Sequence, residues 1–339
     1  MIGADSLEAE VRRFRSGSGV AAVVAGVVGV AGNSLTSVAG TVSRESHDAA
    51  SVADTWHIGS CGKAMTASVY ATLVEAGEAG WDTSIGELLA DLDPHPEWRD
   101  RTMAEALVCV AGIPANPSPA EMLASYSDDR PPADERAELV ARTLSQPPTK
   151  PGRFVYSNLG YVVVGAVIDR LAGVPFEEAL VERVFRPLGM RSADFGPPPR
   201  IRGHHPRFRL PIIMVGRGEA APPDEAGSDN PPIITPAGRF HMNLADWGRF
   251  QHMILSGGGD LLRNETVDRM LTVNGKMAMG WARARFDGFS IGMQGSNTMW
   301  SATVLLADDR SAAAMVVAND GRNLTLSRSL RFAHRLLTA

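Results

Sequence analysis

The stretch WHIGSCGKAMTA, residues Trp56 to Ala67, places Ser60 and Lys63 three positions apart where a helix is predicted to begin. The residues after Ser60 are rich in Ala, Met, Leu and Val at helical spacing, and this pattern stops at Gly77 to Gly80. Side chains three residues apart on a helix share one face, so the lysine amine can meet the serine hydroxyl. A serine at the start of a helix also lies near the positive end of the helix dipole.

Two interpretations of this pair stay open on the short motif alone. Serine is a favoured N-cap residue and lysine is common on helices, which favours an ordinary capped helix. Alternatively, Ser60 is a nucleophile and Lys63 is its base. That role requires burial or a neighbouring cation to lower the pKa of the lysine toward neutrality, and the apolar helix can supply the burial.

A second stretch favours the catalytic interpretation. The segment PGRFVYSNLGYVVVGAVIDRLAG, residues 151–173, carries Tyr156, Ser157 and Asn158 in a turn framed by Gly and Pro, immediately before an apolar helix. A tyrosine beside a lysine can pass a proton to a leaving group, and an asparagine amide can orient the lysine and hold a substrate carbonyl. A helix-capping Ser or Asn with a packed aromatic is the structural alternative.

Composition limits the classes of protein to consider. The chain has 339 residues and a formal net charge of −5, which gives no electrostatic reason to expect a nucleic acid partner. The apolar run from Val20 to Gly32 has the outline of a secretory signal, but it is too short to span a bilayer and an acidic segment precedes it. We therefore predict a buried strand there and no membrane span. Cys61 and Cys109 form no disulfide framework, so a cytoplasmic location is predicted over secretion.

Periodicity predicts the α+β class, with an antiparallel sheet flanked by helices and a mostly helical lobe. Residues 1–82 and 232–339 are predicted to form the sheet domain from both chain ends. Residues 83–231 are predicted to form the helical domain, with a long loop rich in Pro, Gly and Arg at 196–236. The apolar pieces LPIIMV and PPIIT of that loop leave two options, a functional lid over a surface or a solvated loop.

Four segments carry a resemblance to a known family: HIGSCGK, PGRFVYSNLGY, FRPLGM and GSNTMW. In this order, over nearly the whole chain, they resemble the class C β-lactamase and DD-peptidase superfamily, which also contains esterases and acyltransferases. The resemblance implies the β-lactamase/DD-peptidase fold and a serine acyl-enzyme mechanism. It implies that Ser60 is the nucleophile, Lys63 the base and Tyr156 the proton relay, with Asn158 orienting lysine and substrate.

The third motif of that family is a cation, any residue and a glycine on an inner strand, and GMQGSN, residues 292–297, is its match here. Gly295 fits the glycine, where a side chain would crowd the substrate. The resemblance implies that the backbone N–H groups of Ser60 and Ser296 form the oxyanion hole. Met293 departs from the family, which usually has lysine or histidine at this position.

The missing cation at Met293 bears on the substrate. In the family this charge helps to bind the substrate carboxylate, and loss of a charged hydrogen bond at a buried anion costs about 1.5–3 kcal/mol. Carboxylate-bearing substrates are therefore disfavoured and neutral esters or amides are favoured. Arginines of the long loop, or Arg283 and Arg285, could replace the charge, but the sequence does not place them.

Other candidate side chains have structural explanations. Cys61 points about 100° away from Ser60 and is expected to be a small core residue. The histidines of GHHP, residues 203–206, lack further ligands at metal-binding spacing, so no metal is predicted. His57 and His241 are expected to pack without a catalytic role. Phe240, Met299 and Trp300 could either line a pocket for the acyl group or pack in the core.

The sequence thus predicts a serine hydrolase or acyltransferase that uses no cofactor. It would take a small-molecule acyl donor, a neutral ester or amide, and pass the acyl group to water or to an amine or alcohol acceptor. A β-lactamase or DD-carboxypeptidase with another carboxylate clamp is one alternative. A non-catalytic binding or sensor protein on the same fold is the other, motivated by Met293.

Overall fold

A computed structural model describes residues 2–209, 214–222 and 227–339. Its strands are β1 (Ala22–Gly29), β2 (Ser34–Gly40), β3 (Trp56–His57), β4 (Asp194–Phe195), β5 (His204–Arg209), β6 (Met214–Ala220), β7 (Phe240–Met242), β8 (Met277–Ala278), β9 (Trp281–Phe286), β10 (Phe289–Gly295), β11 (Ser301–Leu306) and β12 (Ala312–Ala318). Its helices are α1 (Ala4–Ser18), α2 (Lys63–Glu75), α3 (Ile85–Leu88), α4 (Met103–Leu107), α5 (Pro119–Ala124), α6 (Pro132–Leu144), α7 (Asn158–Ala172), α8 (Phe176–Leu180), α9 (Thr235–Gly238), α10 (Leu244–Leu255), α11 (Asn264–Leu271) and α12 (Asn323–Thr338). The predicted α+β class is confirmed.

The main sheet takes strands from both ends of the chain. Its antiparallel order is β2-β1-β12-β11-β10-β9-β8, with Val23 of β1 opposite Ala318 on one side and Ala39 on the other. Every residue of β1 is buried, so the apolar run in this part of the sequence is a central strand. The exact domain bounds stay a prediction.

Helices cover both faces of the sheet, which explains why β1 shows no polar alternation. On one face, α1 and α12 pack together, and the rings of Phe14 and Phe332 stack with their centroids 4.8 Å apart. Val23 and Ala25 point to this face. The other face packs against α10, and Ala22 and Val24 belong to that core. The sheet is therefore the middle layer of three.

Helix α2 lies between the sheet and the helical lobe. Its residues from Lys63 to Ala71 are all buried, and it contacts α7, α8 and α9. A helix surrounded by protein carries apolar residues on every side, as this sequence does. The N-terminal end of α2 consequently lies at the junction of the two parts of the molecule.

The helical lobe is built around α7, whose residues Leu159–Ile168 are buried. Ser157 caps the start of α7, and Gly173 ends it in the left-handed conformation at a φ of 67°. Among the described residues, no single helix is long and apolar enough to cross a membrane. Helix α7 and residues Phe176–Phe185 together reach that length and apolar composition, but the two are bent by 81° at the break between them.

The segment 196–236 is not one continuous loop, which corrects the sequence prediction. It contains the hairpin β5–β6. This hairpin contacts the sheet side of the molecule, where Arg44 donates a hydrogen bond to the Gly218 carbonyl at 2.6 Å and β6 packs on α12. Four residues of the LPIIMV piece, 210–213, lie outside the described residues, and PPIIT includes a short 3₁₀ turn, Pro232–Ile234.

Candidate active site

Ser60 lies in a 3₁₀ turn, Gly59–Gly62, that leads directly into α2. The turn is held by the Ile58 N–H, which donates to the Phe240 carbonyl at 3.0 Å. Gly59 has a φ of +52°, in the left-handed region that favours glycine. Ser60 itself is partly exposed while Gly59 and Cys61 beside it are buried, so Ser60 is the residue of this turn that solvent can reach.

The Lys63 amine meets three oxygen atoms. It lies 3.1 Å from Ser60 Oγ, 2.8 Å from Asn158 Oδ1 and 2.5 Å from the Ala237 carbonyl oxygen. All three partners are uncharged, and the lysine side chain is completely buried. Burial lowers the pKa of Lys63 to about 7, while the nearby Cys109 and Cys61 thiols act weakly in the opposite direction.

Tyr156 faces the same two side chains. The Lys63 amine lies 5.0 Å from the centroid of its ring, and its hydroxyl shares a hydrogen bond with the Ser60 side chain. Burial raises the pKa of Tyr156 well above its usual value, although the hydrogen bond with Ser60 lowers it in part. The phenol is therefore protonated at neutral pH and can donate a proton.

The two interpretations of the second stretch apply to different residues. Ser157 is the helix cap, since its Oγ accepts from the Gly160 N–H at 2.7 Å and donates to the Pro114 carbonyl at 2.6 Å. Asn158 instead directs its side chain into the site, where Nδ2 donates to Asn116 Oδ1 at 2.7 Å. That contact fixes the amide orientation and leaves Oδ1 for Lys63. The sequence analysis missed Asn116, since no local motif marks it.

The end of β10 approaches the turn that carries Ser60 closely. A Cβ atom on Gly295 would lie 2.2 Å from the Ile58 carbonyl oxygen and 2.7 Å from the Ser60 nitrogen. A Cβ atom on Gly59 would lie 2.6 Å from the Ser296 nitrogen. These separations are too short for real side chains, so both glycines are required for the approach. The backbone nitrogens of Ser60 and Ser296 thereby belong to two segments that lie directly against each other.

Met293 is buried on β10, opposite Val304 of β11. Its carbonyl oxygen accepts a weak hydrogen bond from the Cys61 thiol at 3.6 Å. Arg283, one proposed substitute for the missing cation, stands opposite Ile291 on the neighbouring strand and is exposed. Its position is therefore two residues along β10 from Met293.

Other residues that the sequence singled out have different surroundings. Burial raises the pKa of the Cys61 thiol, which keeps it protonated and unreactive. His241 Nδ1 is bonded to the Gly196 carbonyl at 2.9 Å. His204 is buried and His205 exposed, so the two histidines of the GHHP segment face different surroundings. The side chains of Phe240, Met299 and Trp300 are 0%, 1% and 2% exposed, which is core packing.

His57 does more than pack, which corrects the sequence analysis. Its Nδ1 accepts the Gly59 N–H at 3.1 Å, and its Nε2 lies 2.7 Å from Asp229 Oδ1. The Asn297 amide donates to the same carboxylate oxygen at 3.0 Å. His57 is 172 residues before Asp229 in the chain, so no local pattern could have revealed the contact.

Comparison with known families gives one match over nearly the whole chain. The model of the family described as Beta-lactamase matches residues 7–338. The match includes all the site residues described above.

Sequence relatives and solved structures agree with that match. The chain is 26% identical over 246 residues to Penicillin-binding protein 4 of Amycolatopsis lactamdurans, covering 66% of this chain and 60% of that relative. The structure of D-amino acid amidase from Ochrobactrum anthropi SV3 superposes with a TM-score of 0.79 at 19% identity, covering 98% of each chain. A D-stereospecific amidohydrolase from Streptomyces gives a TM-score of 0.73 at 20% identity, covering 95% and 98%. At these identities the two structures establish the fold.

Proposed function

We infer that this chain, which belongs to the Beta-lactamase family, is a serine acyl-transfer enzyme that acts on neutral esters or amides through an acyl group on Ser60. Water as acceptor gives hydrolysis, and an amine or alcohol as acceptor gives transacylation. The observation that carries this proposal is the environment of Lys63, whose buried amine contacts the Ser60 hydroxyl and two further oxygens.

The contacts of Lys63 suit a neutral amine. A neutral amine has two N–H donors and one lone pair. The Asn158 and Ala237 oxygens are acceptors and take the two donors, so the lone pair remains for the Ser60 hydroxyl. Since burial lowers the pKa of Lys63 to about 7, a large fraction of the amine is neutral at physiological pH. Lys63 is thereby prepared to act as a general base.

The proposed acylation follows from these positions. Lys63 takes the hydroxyl proton as Ser60 Oγ attacks the substrate carbonyl carbon, and negative charge develops on the carbonyl oxygen. The N–H groups of Ser60 and Ser296 stabilise that charge, which in related chemistry contributes about 10²–10³ in rate for each donor. The tetrahedral intermediate then collapses and the bond to the leaving group breaks. Tyr156 donates its hydroxyl proton to the leaving group. Lys63 then returns the proton that it took from Ser60 to the Tyr156 oxygen.

Deacylation repeats the same steps with the acceptor in place of the leaving group. The acceptor attacks the acyl-serine carbonyl through its oxygen, for water or an alcohol, or through its nitrogen, for an amine. The proton of the acceptor passes to Tyr156 and Lys63, which deliver a proton to Ser60 Oγ as the bond to the acyl group breaks. The free enzyme is restored with its protons in their original places.

The substrate is proposed from Met293. A buried thioether offers no charge to a substrate carboxylate, whereas a neutral ester or amide loses nothing there. The solved structure named as a D-amino acid amidase supports an amide as one substrate class for the fold. The chain spans 60% of the length of Penicillin-binding protein 4, so we do not assign the activity of that whole protein to this chain.

Covalent labelling tests the proposed function. A fluorophosphonate and p-nitrophenyl acetate should each add one acyl or phosphonyl group to the wild-type chain, read as a shift in intact mass. The shift should vanish in Ser60→Ala. A wild-type chain that takes no label would favour the non-catalytic alternative and contradict the proposal.

A β-lactamase or DD-carboxypeptidase is the second candidate, favoured by the similarity to a penicillin-binding protein. Nitrocefin turnover separates it from the first. Turnover of nitrocefin faster than of neutral esters would reverse our substrate proposal. Preloading the acyl-enzyme with an ester and adding amines or alcohols distinguishes the acceptors: amide or ester products indicate transacylation, and free acid alone indicates hydrolysis.

We also propose that the enzyme works in a reducing compartment such as the cytoplasm. Both Cys61 and Cys109 are free and buried, which fits that location. Fractionation of expressing cells, followed by detection of the chain, tests this, and recovery outside the cell would contradict it.

A further inference from the structure

Three buried polar side chains lie behind the nucleophile turn and contact one another. His57, Asp229 and Asn297 are 0%, 6% and 5% exposed. None of them is needed for the proton transfers described above. Burial of polar and charged groups costs free energy unless their hydrogen bonds within the protein replace those they lose to water. A cluster of this kind therefore indicates a structural or functional role.

His57 holds the first half of the oxyanion hole. Its Nδ1 accepts the N–H of Gly59, the residue whose peptide group carries the Ser60 nitrogen. Because Nδ1 accepts, the neutral ring bears its hydrogen on Nε2, which lies 2.7 Å from Asp229 Oδ1, although the N–H does not point straight at that oxygen. His57 thus links the left-handed conformation of Gly59 to a fixed carboxylate.

Asn297 holds the second half. Its Oδ1 accepts the N–H groups of Met299 and Trp300, both at 3.2 Å, and so shapes the turn that follows Ser296. Thr298 in this turn has a φ of 74°, a left-handed conformation that non-glycine residues rarely adopt. The side-chain contacts therefore stabilise a turn whose backbone alone would be unfavourable.

Asp229 joins the two halves. It lies within hydrogen-bonding distance of both His57 and Asn297, and its backbone carbonyl accepts from the Tyr126 hydroxyl at 2.7 Å. Burial would raise the pKa of Asp229, but the contacts with His57 and Asn297 lower it, with a smaller contribution from Arg239. The ring of Trp300 lies 5.6 Å from that of His57 and closes the group on its remaining side.

We propose that His57, Asp229 and Asn297 are positioning residues that set the spacing of the Ser60 and Ser296 N–H groups in the oxyanion hole. This inference rests on the proposed function. Preorganised donors aimed at developing charge stabilise the transition state more than the bound substrate, so a loss of positioning lowers kcat while KM changes little.

The test compares variants of His57 with a matched control. His57→Phe keeps an aromatic ring against Trp300 but removes the acceptor for Gly59, and we expect kcat for p-nitrophenyl acetate to fall about 10- to 100-fold with KM nearly unchanged. His57→Asn should recover much of the rate, because its amide oxygen can accept the same N–H. His241→Asn is the control, since this buried histidine pairs with His57 across β3 and β7 but is bonded to Gly196 instead.

A second measurement covers a variant that folds poorly. Hydrogen exchange of a peptide spanning residues 58–62 should be faster in Asp229→Ala than in the wild type, because the His57 ring loses its fixed partner. Wild-type kcat in folded His57→Phe, an equal loss in His241→Asn, or unchanged exchange would each overturn the positioning role.

The outcomes separate the two proposals. A wild-type chain that never acylates Ser60 overturns the proposed function and this inference with it. A wild-type chain that acylates normally, with His57→Phe equally fast, overturns only the positioning role.

Discussion

Lys63 beside Ser60 and Arg136 in the helical lobe are both completely buried basic side chains, and their surroundings differ. Arg136 forms hydrogen bonds of 2.8–2.9 Å to the Asp169 carboxylate and 3.0–3.1 Å to the Glu177 carboxylate. Burial alone would lower the pKa of Arg136, but hydrogen bonding to Asp169 and the charge of Glu177 raise it. Lys63 has only uncharged oxygens as partners, so burial dominates and lowers its pKa to about 7.

The difference teaches how burial can serve stability or chemistry. A buried cation with two carboxylates stays charged, and its contribution is to hold helices α6, α7 and α8 together. A buried lysine without a carboxylate can change its protonation state near neutral pH, which is what a general base requires. The predictions below test whether this division is correct.

Substitution of Lys63 should have the largest effect. In Lys63→Met, the rate of Ser60 acylation should fall by roughly 10²–10⁴, because the amine that takes the proton from Ser60 Oγ is removed. Rapid-mixing acylation with p-nitrophenyl acetate measures this rate. The exposed Lys150, replaced in the same way, is the control and should leave the rate unchanged. A Lys63→Met enzyme that acylates at the wild-type rate would contradict the assignment.

Substitution of Arg136 should change stability and not chemistry. Arg136→Met leaves two mostly buried carboxylates without their partner, and the free energy of unfolding should fall by about 3 kcal/mol. Urea unfolding measures this loss, while kcat per folded molecule should be retained. Arg130, which is half exposed in its pairs with Asp128 and Glu138, is the control, and its replacement should leave stability nearly unchanged. A large drop in kcat for folded Arg136→Met would contradict the assignment of Arg136 to stability alone.

A cation placed at the third motif should alter selectivity. Met293→Lys should increase affinity for carboxylate-bearing substrates about 10- to 100-fold, in line with one charged hydrogen bond of about 1.5–3 kcal/mol. Inhibition of ester turnover by penicillin measures the gain. Met293→Leu keeps the volume without a charge and should show no gain. Equal affinities in the two variants would mean that Met293 does not set the preference.

A change of a single pH unit should have the smallest effect. Because the pKa of Lys63 is about 7, the amine is neutral above that pH and acylation should fall about tenfold for each unit below it. Tyr156 stays protonated throughout, because burial raises its pKa. The sign for stability follows from the same lowered pKa. Between pH 7 and 10.5 the unfolded lysine binds a proton that the folded one lacks, so the free energy of unfolding increases with pH there. A flat acylation profile from pH 5 to 8 would exclude Lys63 as the base.

The sequence revealed the parts of the fold and site that local patterns encode. The apolar run of β1, the helix after Ser60 and the turn before α7 are each visible in a single segment, and the superfamily they indicate is confirmed. The structure also brings Ser60, Lys63, Tyr156 and Asn158 into contact, while their catalytic roles stay a proposal.

Features that depend on distant pairs or irregular strands were missed. The sequence of the hairpin β5–β6 predicts a loop because Pro206, Gly216 and Gly218 interrupt its alternation, and such residues weaken any strand prediction. The contact between His57 and Asp229 joins a short strand to a proline-rich segment. Side chains from separate segments meet only through tertiary packing, which no single window of sequence records.

The position of β1 has a consequence for how the protein is made. This strand is synthesised long before its partner β12, since Gly29 pairs with Ala312. Its other neighbour, β2, follows it within a few residues and can pair with it at once. The eight-residue apolar strand AVVAGVVG therefore keeps one edge unprotected until β12 has been synthesised. The yield of folded protein during expression should thus depend on chaperone supply, whereas the stability of the folded protein should not.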